Sequence, residues 1–482
     1  MMKRMLLFGW VLTILSMNSL WAQSDNGKIE LSEEAYFDWI VRHHPFAMQA
    51  DLIREEAEAV LRKARGGFDP KLVGEWDQKF FDGKSYYHLA QGGLKIPTWY
   101  GLEVGGEYGW TDGVFLNPER NLPSVGQAAF GITANVLQGL VIDQRRADLQ
   151  KARIFQQASE VERRQVLNDL LMNAGDSYWA WTLVYNELLV YEQAYEFSLE
   201  RFRGIRESFI QGDKAAVDTL ESWIQVQDWG NQLADAELKY RKASLELSNF
   251  LWLNKEVPLE VNERVIPVLL EDLTVLTPSR EAVQISLDNL DNTQPALQLY
   301  QYKIASLDVD RRLKQDKLKP VLQLKYYLLG NGFDFTPDEN GNGNGLGLGE
   351  LFGENYKVGA TFRFPLFLRK ERGDLELARL KIRDNSLQLQ QKQLEWGNKV
   401  ESYFAELENM SGQIDRLDSM VDNYQTLLQI EGVKFDIGES SIFLLNSRQV
   451  KLLEAQLKLA KVRSIWHKAQ LGFDWASGVI GR

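Results

Sequence analysis

The chain says the same thing twice. Pro45 and Pro70 stand 25 residues apart, as do Pro295 and Pro320, so one offset of 250 superposes both pairs. Further on, Arg146-Ala147-Asp148-Leu149 returns as Arg372-Gly373-Asp374-Leu375, and Phe209-Ile210-Gln211-Gly212 as Phe435-Asp436-Ile437-Gly438, both at an offset of 226. Asp176-Ser177-Tyr178-Trp179 with Glu401-Ser402-Tyr403-Phe404 fits at 225. Half-chain repetition means two copies of one module related by pseudo-symmetry, and it outranks any single residue as a constraint on the fold.

The beginning of the chain reads as a signal peptide over residues 1–22. Lys3 and Arg4 precede a largely apolar run, and Ser19-Leu20-Trp21-Ala22 supplies a small-residue cleavage site. No stretch is long and apolar enough for a transmembrane helix. The chain has no cysteine, so export does not rest on disulfides. Its net charge is −12, which loss of Lys3 and Arg4 takes two units further, so a nucleic-acid partner is not expected. Aromatic residues make up 11 % of the chain, with 14 tryptophans, a supply that suits large interfaces or a membrane boundary.

Two kinds of element recur. Residues 146–208 contain no proline and only two glycines, and another proline-free run follows Gly212. As helix, those 63 residues would reach about 95 Å. In the second repeat Tyr403, Leu407, Met410, Ile414, Leu417, Val421, Tyr424 and Leu428 fall at steps of four and three. The first repeat answers with Val184, Leu188, Tyr191, Tyr195, Ser198, Phe202, Ile205 and Phe209. Such spacing predicts coiled-coil-like helices. The other element is strand. Tyr356, Val358, Ala360, Phe362 and Phe364 alternate with Lys357, Gly359, Thr361 and Arg363, and residues 321–328, 127–136 and, more weakly, 72–81 do likewise. Strands of about ten residues with one apolar and one polar side fit a barrel in lipid, or a half-buried soluble sheet.

Each repeat thus predicts helix, strand, strand, very long helix, turn and long helix. The first repeat, residues 23–253, places strands over about 71–137 and long helices over about 140–252; the second, 291–482, places them over about 320–366 and 370–476. Pro70 to Arg146 is longer than Pro320 to Arg372 by 24 residues, which an inserted hairpin within 86–112 accounts for. Residues 254–290, with Pro258, Pro267 and Pro278, read as irregular connecting structure, and the Gly- and Asn-rich residues 331–354 as a loop between strands.

The His44-Pro45 helix start running through Ala57 and Ala64 to Pro70, the strand ending Phe364-Pro365-Leu366-Phe367 before a basic long helix, and the two Phe-x-x-Gly turns together carry a family likeness. Over nearly all of its mature length the chain resembles the TolC-like outer membrane efflux proteins. That resemblance implies a mainly α fold with a membrane β-barrel: a homotrimer with a shared barrel in the outer membrane and an α-helical barrel crossing the periplasm. It implies the exit duct of a tripartite efflux pump or type I secretion system, in contact with outer membrane lipid and docked to a periplasmic adaptor (membrane fusion) protein and an inner-membrane transporter. The alternative reading is a periplasmic coiled-coil adaptor or scaffold, although adaptors usually carry soluble β modules around a single hairpin. The inserted hairpin departs from the usual two strands per repeat and leaves the barrel's strand count open.

The functional candidates lie at the turns. Gly212 and Gly438 each follow a phenylalanine, Phe209 or Phe435, and precede an acid, Asp213 or Glu439, which glycine capping of a helix explains by itself. The resemblance adds that these six residues form the periplasmic tip and meet the adaptor. It also implies an acidic ring a few positions on, which Asp218 matches. The second repeat has Phe443, Leu444 and Asn446 there instead, so an apolar constriction is the alternative. Asp338-Glu339-Asn340-Gly341-Asn342-Gly343 opens like a calcium loop, yet its twelfth position is Gly349, and an outer loop is the simpler reading. His43 and His44 are adjacent and point apart on a helix, so no metal site is expected there. No HExxH, GxSxG or phosphate-loop pattern occurs; no catalytic residue, cofactor or metal is expected, and the function class is transport, not an enzyme.

Overall fold

The computed structural model describes residues 22–23, 28–262, 264–331 and 355–480. Nearly all of the signal segment and the acidic loop motif at 338–350 lie outside the described residues. The chain divides into two units: one of residues 54–160 and 299–390, the other of residues 1–53, 161–298 and 391–482.

The first unit is built on a sheet of six strands among the described residues: β3 (Lys71–Phe81), β4 (Lys84–Pro97), β5 (Leu102–Asp112), β6 (Gln127–Asn135), β10 (Val321–Asn331) and β11 (Tyr356–Arg363). Their spatial order is β11-β10-β6-β5-β4-β3, every neighbouring pair antiparallel. Both repeats launch this sheet identically, since Pro70 and Pro320 stand just before β3 and β10. A proline cannot continue a helix yet suits the approach to a strand. The extra residues of the first repeat are β4 and β5, and they do not hang free. They lie in the plane of the sheet, between β3 and the strand that would otherwise be its hairpin partner, β6. Small cores close the ends of the strands, one of Leu61, Phe68, Leu149 and Ala152, another of Ile142, Ala147, Val309 and Leu313. Buried Asp316 ties them down, accepting from the backbone N–H of Gly139 at 2.6 Å and pairing with Lys319 at 2.6 Å.

The second unit is helical. The α-helices among the described residues are α1 (Glu33–His43), α2 (Pro45–Arg65), α3 (Gln144–Gln211), α4 (Ala216–Ser248), α5 (Arg280–Asp288), α6 (Leu290–Thr293), α7 (Pro295–Asp316), α8 (Arg369–Asp436) and α9 (Ile442–Ser477), of which α2, α3, α7 and α8 run partly or mostly in the sheet unit. The pseudo-symmetry is exact in length: α3 and α8 have 68 residues each. At 1.5 Å per residue each runs about 100 Å. The expected seams hold, with Leu188, Ser198, Ile205, Leu407 and Ile414 buried and Phe209 exposed at the far end. Ser198 is tolerated in its seam because its hydroxyl donates to the carbonyl of Tyr195 at 2.8 Å. The core gathers Tyr36, Ile40, Leu171, Tyr178, Trp181, Leu247 and Leu270. Each such side chain, fully buried, contributes roughly 1.5–3 kcal/mol.

Residues 254–290 are less irregular than the prolines suggest. Ser279 caps α5, accepting from the N–H of Ala282, and turns Val283 inward to full burial. Short strands β7 (Trp252–Leu253) and β8 (Val257–Pro258) pair with each other, and β9 (Val265–Pro267) joins β2 (Ile29–Leu31), which in turn pairs with β1 (Ala22–Gln23).

Candidate channel lining and helical turns

The sheet has two chemically distinct faces, and the register carries them unbroken across all six strands. Leu72 on β3, Leu94 on β4, Gly106 on β5, Phe130 on β6, Leu328 on β10 and Tyr356 on β11 stand in one row, each paired with the next. Two residues along each strand, further rows place Trp76, Val104, Ile132, Tyr326, Val358 and Phe362 on the same side, and most of these stand open to solvent. Aromatic residues collect at both ends of the strands: Trp99 and Tyr100 at the β4–β5 turn and Phe367 beyond β11, against Phe80, Phe81 and Phe115 at the opposite end. That is the pattern of an apolar band between aromatic girdles.

The opposite face is polar and concave. It encloses a cavity of about 560 Å³ whose lining includes Glu75, Asp77, Gln91, Glu107, Lys325 and Lys357. Glu107 accepts from Gln91 at 2.9 Å and pairs with Lys95 at 3.5 Å. Acids concentrate on β3 and β5, while β10 and β11 contribute lysines. A glycine is required at 131: a Cβ there would collide with the backbone of Tyr326 and Tyr327. Tyr327 pairs with Gly131, which pairs in turn with Gly105, and the Tyr327 ring reaches the space that a side chain at Gly105 would take.

The two predicted turns come together. In the first, Gly212 adopts φ +85°, and the N–H of Asp213 returns to the carbonyl of Ser208 at 2.9 Å; in the second, Gly438 adopts φ +80°, and Glu439 returns to Lys434 at 2.8 Å. These are paired Schellman caps, left-handed at a residue without Cβ. The ammonium of Lys214, from the first turn, sits over the Phe435 ring of the second at 4.1 Å. Gly212, Asp213, Gly438 and Glu439 are exposed, as is Phe209, while Phe435 is half-buried. Around them Ile210, Val217, Leu220, Val433, Ile437 and Phe443 are all open to solvent, an apolar cap on the hairpins.

The candidates for a constriction separate. Phe443 and Leu444 are exposed, and Asp218 is half-buried in the first turn of α4, where the helix N-terminus favours an acid. Asn446 is buried and turned inward: its Oδ1 accepts from Arg201 at 2.8 Å, and Gln449 accepts from the same Nη1. Asn446 is thus occupied by a contact within the protomer. Sequence reasoning missed this clasp because its partners lie 245 residues apart. It also missed Glu33, to which Trp179 donates at 2.8 Å; burial pushes this carboxyl up to about 7. Burial likewise pushes Asp474 up to about 6 and His467, stacked on Trp179, down to about 4. The His44 Nδ1 accepts from the N–H of Phe46 at 3.1 Å, while His43 packs on Trp39.

Residues 332–479 match the family model of the outer membrane efflux proteins. The rest of the fold agrees with it. Over 93 % of this chain and 85 % of the other, the structure is similar to the outer membrane channel CmeC of Campylobacter jejuni, with a TM-score of 0.61 and 13 % identity. The chain has the fold of the TolC-like outer membrane channels, and its residues 332–479 carry the outer membrane efflux protein domain. The outer membrane protein VceC of Vibrio cholerae aligns with this chain at a TM-score of 0.62 and 12 % identity, over 92 % of this chain and 96 % of its own. The open state of the MtrE outer membrane channel of Neisseria gonorrhoeae aligns at 0.63 and 12 %, over 93 % and 89 %. No curated protein is significantly similar in sequence. At such identities the likeness carries the fold alone.

Proposed function

We propose that three copies of this TolC-like chain form an exit duct of an efflux assembly, a channel that passes its cargo through the outer membrane and performs no chemistry on it. The observation that carries the reading is the six-stranded sheet with one continuous apolar face and one charged, concave face, set in the same chain as two helical hairpins, each with one 68-residue arm. A single protomer leaves that apolar face uncovered. Lipid covers it in a shared barrel, and the polar face then borders water. On this reading the turns at Gly212 and Gly438 dock a periplasmic adaptor working with an inner-membrane transporter, and Phe443, Leu444 and Asp218 stand near the narrow end of the duct.

The test is twofold. Purified protein in a planar bilayer should conduct ions, and cysteines at Gln211 and Ile437 should crosslink to a periplasmic adaptor while one at Asn342 is labelled from outside the cell. Adaptor crosslinks from Asn342 and none from either turn would reverse the orientation.

A further inference from the structure

The sheet has two open edges. Among the described residues β3 is paired only with β4 and β11 only with β10. Every residue of β3 is exposed, and Leu72 reaches 86 %, Trp76 67 % and Phe362 64 % exposure. Long exposed apolar edges are what natural proteins pair or cover. Five antiparallel pairings separate β3 from β11, so the two edges run in opposite directions. The β11 of one copy can therefore accept the β3 of the next by the same kind of ladder that runs through the sheet.

Resting on the trimeric reading above, we infer that β11 of each protomer pairs with β3 of its neighbour, and that the barrel has eighteen strands, with the inserted hairpin β4–β5 as wall. The inserted strands raise each copy's share from four to six. Because barrel diameter grows roughly linearly with strand number, they make the duct about half again as wide as a twelve-stranded one.

Geometry and charge select one register. Within the protomer, Tyr356 lies in the row of Leu72. Setting the start of the neighbour's β3 level with the end of β11 moves Tyr356 opposite Gln78, a stagger of six residues over six strands. At about 3.3 Å per residue and 4.8 Å per strand, that stagger tilts the strands by about 35°, within the range closed membrane barrels adopt. The same register places Trp76 opposite Val358 and Gly74 opposite Ala360 on the apolar face, and Asp77 opposite Lys357 on the polar one. A stagger of eight would set Lys79 against Lys357 instead. Lys71 and Arg363 do meet, but at the strand ends, where both side chains reach water.

The absence of cysteine makes the test clean. Under oxidation the double variant Gly74→Cys, Ala360→Cys should run mostly as covalently linked dimers and trimers on a denaturing gel, and neither single variant should. Ala134→Cys with Leu324→Cys, paired within one sheet, is the intramolecular control. A native trimer in which this control closes but the 74–360 pair never links between chains would overturn the proposal and leave the duct reading intact. A wild-type protein that is not trimeric would remove both. Should the double variant fail to assemble, Asp77→Lys should lower the trimer's dissociation temperature, and adding Lys357→Asp should restore it; no restoration would also count against the register.

Discussion

Glu33 is a carboxylic acid held against a tryptophan, and its burial has a consequence in solution. With its carboxyl pushed from 4.5 up to about 7, the folded protein keeps a proton between those values that the unfolded chain has released. Its contribution is therefore present below about pH 4.5 and lost as the pH rises through 7, a swing of up to about 3 kcal/mol. Asp474, pushed up to about 6, acts in the same sense, while His467, held down to about 4, contributes at neutral pH and is lost as the pH falls from 6.5. Glu33→Gln should raise the unfolding temperature at pH 8, leave it unchanged at pH 4 and flatten the profile between; an equal shift at both values would mean that the carboxyl does not titrate. On the sheet, Gly131→Val should cost several kcal/mol, since the added side chain meets backbone that a strand cannot move aside. Heat-resistant assembly on denaturing gels reads that loss, and Tyr327→Ala should weaken assembly less.

At the scale of elements the strands and turns test the face assignment and the docking site. Val358 is on the apolar face and Thr361 on the polar one, so Val358→Arg should cost roughly 2–4 kcal/mol near mid-membrane and impair barrel assembly more than Thr361→Arg. The reverse order would invert the register. At Gly212 and Gly438 no atom lies within 4 Å of a built Cβ, so alanine is opposed by conformation alone, at about 1–2 kcal/mol per left-handed residue. Gly212→Ala with Gly438→Ala should leave the trimer in the outer membrane and weaken adaptor crosslinking, which the cysteine at Ile437 reads out. Most of these elements were legible in the residues. Proline fixed where strands and helices begin, the period of two marked the strands, and four-three spacing marked the seams. Helix α5 was hidden because three prolines around it mask one serine cap. The place of β4 and β5 was hidden for a different reason: alternation assigns faces to a strand but says nothing of which neighbour it pairs with.

On the scale of the whole molecule the duplication proved the most informative feature, because it dictated two hairpins and two strand groups before any side chain was placed. What it could not reveal were contacts made once, without a counterpart in the other repeat. The Arg201 clasp on Asn446 and Gln449 is one, and the Trp179 contact with Glu33 is another. Nor could it count barrel strands, since the insertion breaks the symmetry on one side only. The central claim is that an uncovered apolar sheet and open strand edges are completed by two further copies in lipid. Native mass measurement of the mature protein, extracted with and without detergent, tests it most directly. The expected result is a detergent-dependent particle of three copies of the 55.4 kDa chain less its signal segment; a stable monomer in plain buffer would contradict it.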